Sequence, residues 1–539
     1  MHLRTDTGSA NSHFAQVPTI SRTRNTFSVA EKHVTTMQFD YLYPLQWKYI
    51  YPGDTLNISQ NVMARLQTQI KTLFDDLYFD IHAWFVPMRL IQTNWARFQF
   101  NAQPTGPTQD NSALTTPNID LSGLTSGFAS KSLYDYFGFP TKVAANSSTV
   151  WMNNYLGRAY NLIWNENYRD QNLQNAVTVD LDEGPDNPSD YILLKRGKRH
   201  DRFTSALPSP QKGTAVSMPL GTSAPVVGNG SLVYGHSTVV STDRQMLING
   251  GGGGNYTYLT GFTGASGEGF LWSGDPSKTG LYTDLSSATA ATLNQWRQSI
   301  AVQHLLEADA RSGTRDVESI QARWGVTVPD FRMQRPEYLG GSTFTFDGHV
   351  VPQTSATSGS NYQAQLAQFS QTLSSLNITH SFVEHGVFMV LISARSNITY
   401  QEGLQRDLTH KTRYDWYQPE FANLGEVSMF NYEIYFQGVA ADLSTFGYQE
   451  YGYWLRYGMN RVSGEMRSNY TTPLDSMHMA DDYFSLPTLG SAWIQSSTPI
   501  SRNIAVSSST ADPIWINSLM TGYIVRTLPM YSVPGLTRI

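Results

Sequence analysis

The chain of 539 residues contains no cysteine. That excludes disulfide frameworks and thiolate metal sites, and leaves burial and assembly as the sources of stability. Charge is scarce too: 15% of residues are Asp, Glu, Lys or Arg, and the formal net charge is −6. An acidic chain of this kind does not wrap nucleic acid with its whole surface as a histone does. No stretch approaches the ~20 apolar residues of a membrane span. Residues Met1 to Ser12 lack the apolar core of a secretory signal. The expectation is a protein made and used in the cytosol, or released by lysis.

Catalytic signatures are missing as well. There is no Gly-x-Ser-x-Gly elbow, Walker loop, Rossmann glycine pattern or Cys/His cluster. The run Gly250 to Gly254 is followed by Asn255 and Tyr256, where a phosphate-binding loop needs Lys and then Ser or Thr. His304 and Glu307 lie three apart without a further His at matching spacing, which reads as a surface histidine. Asp75-Asp76 and Asp481-Asp482 are adjacent pairs, and neighbours on a strand point to opposite faces. No catalytic residue, cofactor or metal ligand is expected, and the chain reads as a non-enzyme.

What is abundant is Gly, Pro, Ser, Thr, Asn and Gln, together with 12% aromatic residues. Length alone suggests about three domains, but this composition suits one all-β scaffold carrying long ordered loops. Two neighbouring runs carry the clearest pattern. In Leu77 to Pro87, Leu77, Phe79, Ile81, Ala83 and Phe85 point one way, and Tyr78, Asp80, His82 and Trp84 the other. In Pro52 to Leu66, Leu56, Ile58, Val62, Ala64 and Leu66 keep one parity behind the turn Pro52-Gly53-Asp54. Both read as strands of a half-buried sheet.

Along the rest of the chain, Met1 to Lys32 is polar, with Arg4, Arg22 and Arg24, and reads as an extended arm. Trp151, Tyr155, Ala159, Leu162 and Ile163 recur at helical spacing, an aromatic stripe that points to core packing. Lys195 to Arg202 (KRGKRHDR) is the densest basic cluster. A solvated or ion-paired loop is its plainer reading and phosphate contact the sharper one. Residues Gly221 to Ser287 are rich in Gly, Ser, Thr and Tyr with few charges, and read as a displayed surface insertion. Thr292 to Arg311 predicts a helix ended by Ser312-Gly313, and Val317 to Trp324 a second, shorter one. Between Val351 and Asn377, Tyr362, Leu366, Phe369 and Leu373 predict a small amphipathic helix. His385 to Arg395 is nearly all apolar, as in a strand covered on both faces. Gly425 to Gly438 predicts a strand with Phe430, Tyr432, Ile434 and Phe436 on one side, and Pro499 to Ile539 a polar, then mixed, tail.

Six blocks in matching order resemble the major capsid protein of gokushoviruses, small tailless single-stranded DNA phages of the microvirus family. They are PGDTLN with LYFDIHAWFVPMRLI; RAYNLIWNENYRDQNLQ; KRHDRFTSALPSPQKG; HLLEADARSGTRDVESIQARWGV with RPEYLGG; QEGLQRDLTHKTRYDWY; and LDSMHMAD. The resemblance implies one eight-stranded antiparallel jelly roll of the viral capsid type, with long loop insertions containing short helices. It implies a T=1 icosahedral shell of sixty copies around circular single-stranded DNA, assembled in the host bacterial cytoplasm. It also implies a variable insertion projecting near the threefold axes, whose tip recognises a host receptor and which we assign to 221–287. An arm over 1–32 and a single capsid domain over 33–539 follow. An acidic coat cannot neutralise a genome, so metal ions, polyamines or a small basic DNA-binding protein must; the resemblance implies such a protein as a partner, and a minor pilot protein. Local DNA contacts fall to Arg4, Arg22, Arg24, Lys195, Arg196, Lys198 and Arg199. The competing reading is a carbohydrate-binding or carbohydrate-processing β-sandwich, since jelly rolls also serve in lectins.

Overall fold

The computed structural model describes residues 23–100, 113–141, 143–146, 148–214, 216, 293–311, 318, 320–322, 334–352 and 366–531, with four short strands between 226 and 283. The first strands are β1 (Asn25–Met37), β2 (Tyr43–Ile50), β3 (Thr55–Leu66) and β4 (Leu77–Pro87). The short β5 (Val226–Gly228), β6 (Leu247–Asn249), β7 (Tyr256–Tyr258) and β8 (Leu281–Thr283) come next. Then follow β9 (Glu337–Thr345), β10 (Asp347–Pro352), β11 (Leu366–Ser381), β12 (Gly386–Ser396), β13 (Glu426–Phe430), β14 (Thr445–Glu450) and β15 (Ile514–Arg526).

Two sheets dominate, one of five strands in the order β1-β15-β3-β11-β10 and one of four in the order β2-β12-β4-β9. Every pairing within them is antiparallel. The first four strands alternate between the sheets, and the chain's last long strand closes between β1 and β3, which is the winding of a jelly roll. The described sheets hold one strand more than the eight expected, the addition being the edge strand β10.

The core follows from the period of two. Leu56, Ile58, Val62 and Ala64 of β3 face Phe79, Ile81, Ala83 and Phe85 of β4 and Phe388, Val390, Ile392 and Ala394 of β12 in one buried cluster. The opposite parity of β4 and β12 (Trp84, Val86, Val387, Met389, Leu391) packs under the Tyr155–Asn167 helix through Leu156, Ala159, Tyr160, Ile163 and Trp164. All of β12 is therefore buried, as its continuous apolar run predicted. The Pro52-Gly53-Asp54 turn places Gly53 at φ +88, which only glycine adopts cheaply. It also presents Asp54, fully buried, to Arg526 at 2.6 Å, locking the start of β3 to the end of β15.

Several expectations change. The arm ends earlier than Lys32, because Asn25 already pairs with Arg526. Leu366, Phe369 and Leu373 lie in strand β11, not in a helix. There the register against β3 buries Leu376 and Ile378 and exposes Leu373. The predicted strand 425–438 stops at Phe430 and becomes a helical turn, Asn431–Ile434, with the Glu433 side chain accepting from the Phe430 N–H at 3.2 Å. It pairs with β14 outside the two main sheets, so Phe436 is exposed while Ile434 is buried. The tail beyond Pro499 contains β15, a central strand. Most of the predicted Val317 to Trp324 helix lies outside the described residues.

Residues 211–323 form a second compact unit, and 1–210 with 324–539 the first. The second unit contains the whole 221–287 stretch, the β5–β8 and β6–β7 pairs and the Leu293–Arg311 helix, which begins and ends as its sequence predicted.

Candidate functional site

The basic run that the sequence singles out lies across the covered side of the four-stranded sheet. The Arg196 N–H donates to the Asp40 carbonyl at 2.8 Å and the Lys198 N–H to the Ile494 carbonyl at 2.8 Å, so the loop is stitched down along both edges. The Trp164 indole adds a bond to the Lys195 carbonyl at 2.9 Å.

Its cations face inward. Asp80 stands on β4 at the parity opposite the core and accepts from Arg196 at 2.5 Å, Arg395 at 2.8 Å and Thr343 at 2.6 Å. Burial raises the Asp80 pKa, but Arg196, the Thr343 bond and Arg395 outweigh it and hold the carboxyl down at about 2. Burial and the Arg196 charge push neighbouring His82 down to about 4, a neutral ring bonded through Nδ1 to the Tyr168 hydroxyl at 2.7 Å. Lys198, with a side chain only 7% exposed, donates to Asp481 at 2.7 Å and Tyr483 at 3.0 Å. The Trp493 ring centroid lies 4.8 Å from its ammonium. Arg199 stacks on Tyr78 at 3.9 Å, and Lys195 sits 5.4 Å from the Tyr41 ring centroid. Arg202 forms a buried pair with Glu433.

Arg196, Lys198 and Arg199, with Arg169 and Arg395, line a cleft of about 480 Å³ that holds five cations against the carboxylates of Asp80 and Asp170. Its positive excess lowers the Arg395 pKa to about 10, with burial the larger cause and Arg196 the next. Such a cleft attracts anions. It is not built for glycoside hydrolysis, which needs a carboxylic acid with a raised pKa, whereas Asp80 is held ionised. His304 and Glu307 stay 3.9 Å apart, and no group of three His, Cys, Asp or Glu suited to a metal occurs among the described residues.

Arg4 and Arg22 lie outside the described residues. Arg24 donates to Thr55 at 2.9 Å and to the Gly53 carbonyl, at the opposite side of the sandwich from the cleft. The structure therefore groups Lys195, Arg196, Lys198 and Arg199 and sets Arg24 apart from them. Sequence reasoning missed Asp80, Arg395, Asp481 and Trp493, because their roles depend on pairings across 116 to 315 residues and could not be read from local spacing.

An alternating two-sheet antiparallel sandwich with helix-bearing insertions defines a jelly-roll protein of the viral coat class. The family of the phage capsid protein, F protein, matches residues 15–536, and the chain belongs to it. It is 41% identical to Capsid protein VP1 of Bdellovibrio phage phiMH2K over 97% of this chain and 98% of that one. Identity is 35% to Capsid protein VP1 of Chlamydia phage 1, with 98% of each chain covered. To Capsid protein VP1 of Spiroplasma virus 4 it is 31%, with 96% of each covered. The chain is a major capsid protein of the gokushovirus-like microviruses, a structural component of the virion and not an enzyme. As a coat protein it assembles with copies of itself into a shell.

Proposed function

We propose that sixty copies form a T=1 shell around circular single-stranded DNA, assembled in the bacterial cytoplasm with a small basic DNA-binding protein and a minor pilot protein. The reading rests on the end-to-end match to capsid proteins of small phages. The net charge of −6 means that metal ions, polyamines or the basic partner must balance the genome, since the coat repels phosphate on average. The 211–323 unit carries host recognition, a role suited to a self-contained insertion that varies without disturbing the sandwich. Arg4, Arg22 and Arg24 contact genome phosphates. The positive excess of the cleft favours a second phosphate contact at Lys195, Arg196, Lys198 and Arg199.

Sedimentation and electron microscopy of material from producing cells, followed by nuclease treatment, test the reading. Uniform isometric particles protecting single-stranded DNA are expected. Small oligomers that persist after co-expression with the basic partner contradict it.

A further inference from the structure

The sandwich has two outer faces. One, on the four-stranded sheet, is packed under the Tyr155–Asn167 helix. The other, on the five-stranded sheet, keeps its side chains exposed or half-exposed along β1, β15, β3 and β11. Its outward positions align in six rungs, from Thr36–Trp515–Arg65–Gln371 at one end to Thr26–Val525–Thr55–Ser381 at the other.

None of these positions is Asp or Glu, although the chain carries 43 acidic residues. Glu31 of β1 points to the other face and pairs with Lys48. Asp512, which accepts from Thr36 at 2.6 Å, is buried and neutralised by Lys131 at 3.0 Å. The face carries instead Lys32 and Arg65, hydroxyls and amides such as Asn61 and Asn57, two aromatic rings, and the exposed aliphatic side chains of Val34, Met63, Leu373 and Leu519 between them. Trp515 is 45% and Tyr523 42% exposed. The Arg65 guanidinium lies 5.7 Å from the Trp515 centroid, and Asn57 donates to the Tyr523 hydroxyl at 2.9 Å, which orients that ring.

We propose that this face is the genome-binding surface of the coat, a sheet platform on which unpaired DNA bases stack against Trp515 and Tyr523, with Lys32 and Arg65 meeting phosphates. The inference rests on the packaging of single-stranded DNA proposed above. A sheet face with exposed aromatics and amide and hydroxyl donors, and no outward carboxylate on its four long strands, has the chemistry of a single-strand platform. Duplex DNA does not fit, because its bases offer no free ring faces. A basic protein fits poorly, because β1, β15, β3 and β11 offer it no outward carboxylate, and Asp347, in register with Gln371, stands on the edge strand β10. Eight residues separate the rings along β15, about 27 Å at strand rise, so they hold two separate bases of the strand.

The platform differs from the basic cleft in salt dependence. Two cations per subunit predict that affinity for single strands falls about sevenfold between about 50 and 200 mM salt. Binding through the five cations of the cleft predicts a fall of about 100-fold over the same range.

Ultraviolet crosslinking of DNA inside intact particles, followed by peptide mapping, reads the contact directly. Crosslinks on the β15 and β3 peptides are expected, and crosslinks confined to 195–202 overturn the proposal. Binding of a fluorescent oligothymidylate to coat protein released from particles tests the face even if particles prove to hold no DNA, an outcome that would overturn only the packaging reading. Paired Trp515→Ala and Tyr523→Ala substitutions should weaken it by about tenfold or more. Paired Asn61→Asp and Asn377→Asp substitutions, which leave the core untouched, should weaken it and lower the protected DNA per particle. Unchanged binding in both variants overturns the proposal. Failure of both variants to assemble while remaining folded does so too, by assigning the face to a contact between copies.

Discussion

The two sides of this sandwich are finished in opposite ways. Over the four-stranded sheet the buried charges are paired: Asp80 gathers two arginines, and Lys198 sits among Asp481, Tyr483 and Trp493. Over the five-stranded sheet the side chains are mostly neutral and open, hydroxyls, amides, aliphatics and two rings, with cations at Lys32 and Arg65. The side richer in charge is therefore the less available to a polyanion. Ion pairs buried within a fold mainly hold it together, because removing one partner strands the other away from water. A face meant for reversible contact with a long flexible strand gains more from exposed rings and hydrogen-bonding groups.

The largest effect of breaking this contrast should come from Arg158. Its guanidinium is fully buried and meets Asp186, 1% exposed, at 2.5 Å, with further bonds to the Ile91 and Asp182 carbonyls. Arg158→Ala leaves Asp186 an uncompensated buried charge and should cost about 3 to 5 kcal/mol, seen in urea unfolding of the coat protein or as loss of soluble product. Lys198→Ala comes next, at roughly 2 to 4 kcal/mol. It should lower thermal stability whether or not DNA is present, whereas a lysine that served only the genome would leave the empty protein unchanged.

Acid should act on the covered side through His82 and Asp80. His82 has a folded pKa of about 4, below its ordinary value of 6.5. Its contribution is complete above pH 6.5 and is lost as the pH falls toward 4, because the unfolded chain takes up the proton first. Asp80, depressed from 3.8 to about 2, adds a second loss below that window, as the pH falls from about 4 toward 2. Stability measured from pH 7 to 4 should decline, and His82→Gln should flatten that decline. The smallest effect belongs to the open face. Thr521→Ala and Ser375→Ala should shift stability by no more than about 0.5 kcal/mol in thermal melts, which separates contact with DNA from folding.

Much of the sandwich was legible because alternation is local. Leu77 to Pro87, Pro52 to Leu66 and the all-apolar 386–396 strand each declare their burial within about ten residues. The strand β1 was not legible, since its inward positions include Glu31 and His33. These turn inward because Lys48 and the Leu45 carbonyl meet them. Strand β15 hides for a related reason: Ser518 is buried against Gln60 at 2.5 Å, which interrupts the apolar parity. At Leu373 the spacing fits a helix, but pairing with β3 decides otherwise. The basic cluster was visible as a cluster. Its partners Asp80, Arg395 and Asp481 were not, because only the closed fold brings them near.

The most direct measurement is a cryo-electron microscopy reconstruction of DNA-filled particles. The account predicts that Trp515 and Tyr523 line the shell interior against ordered nucleotide density, with the Asp80–Arg196 and Lys198–Asp481 pairs kept within the subunit. A shell with the five-stranded sheet turned outward, or ordered nucleotides that leave Trp515 and Tyr523 untouched, would contradict it.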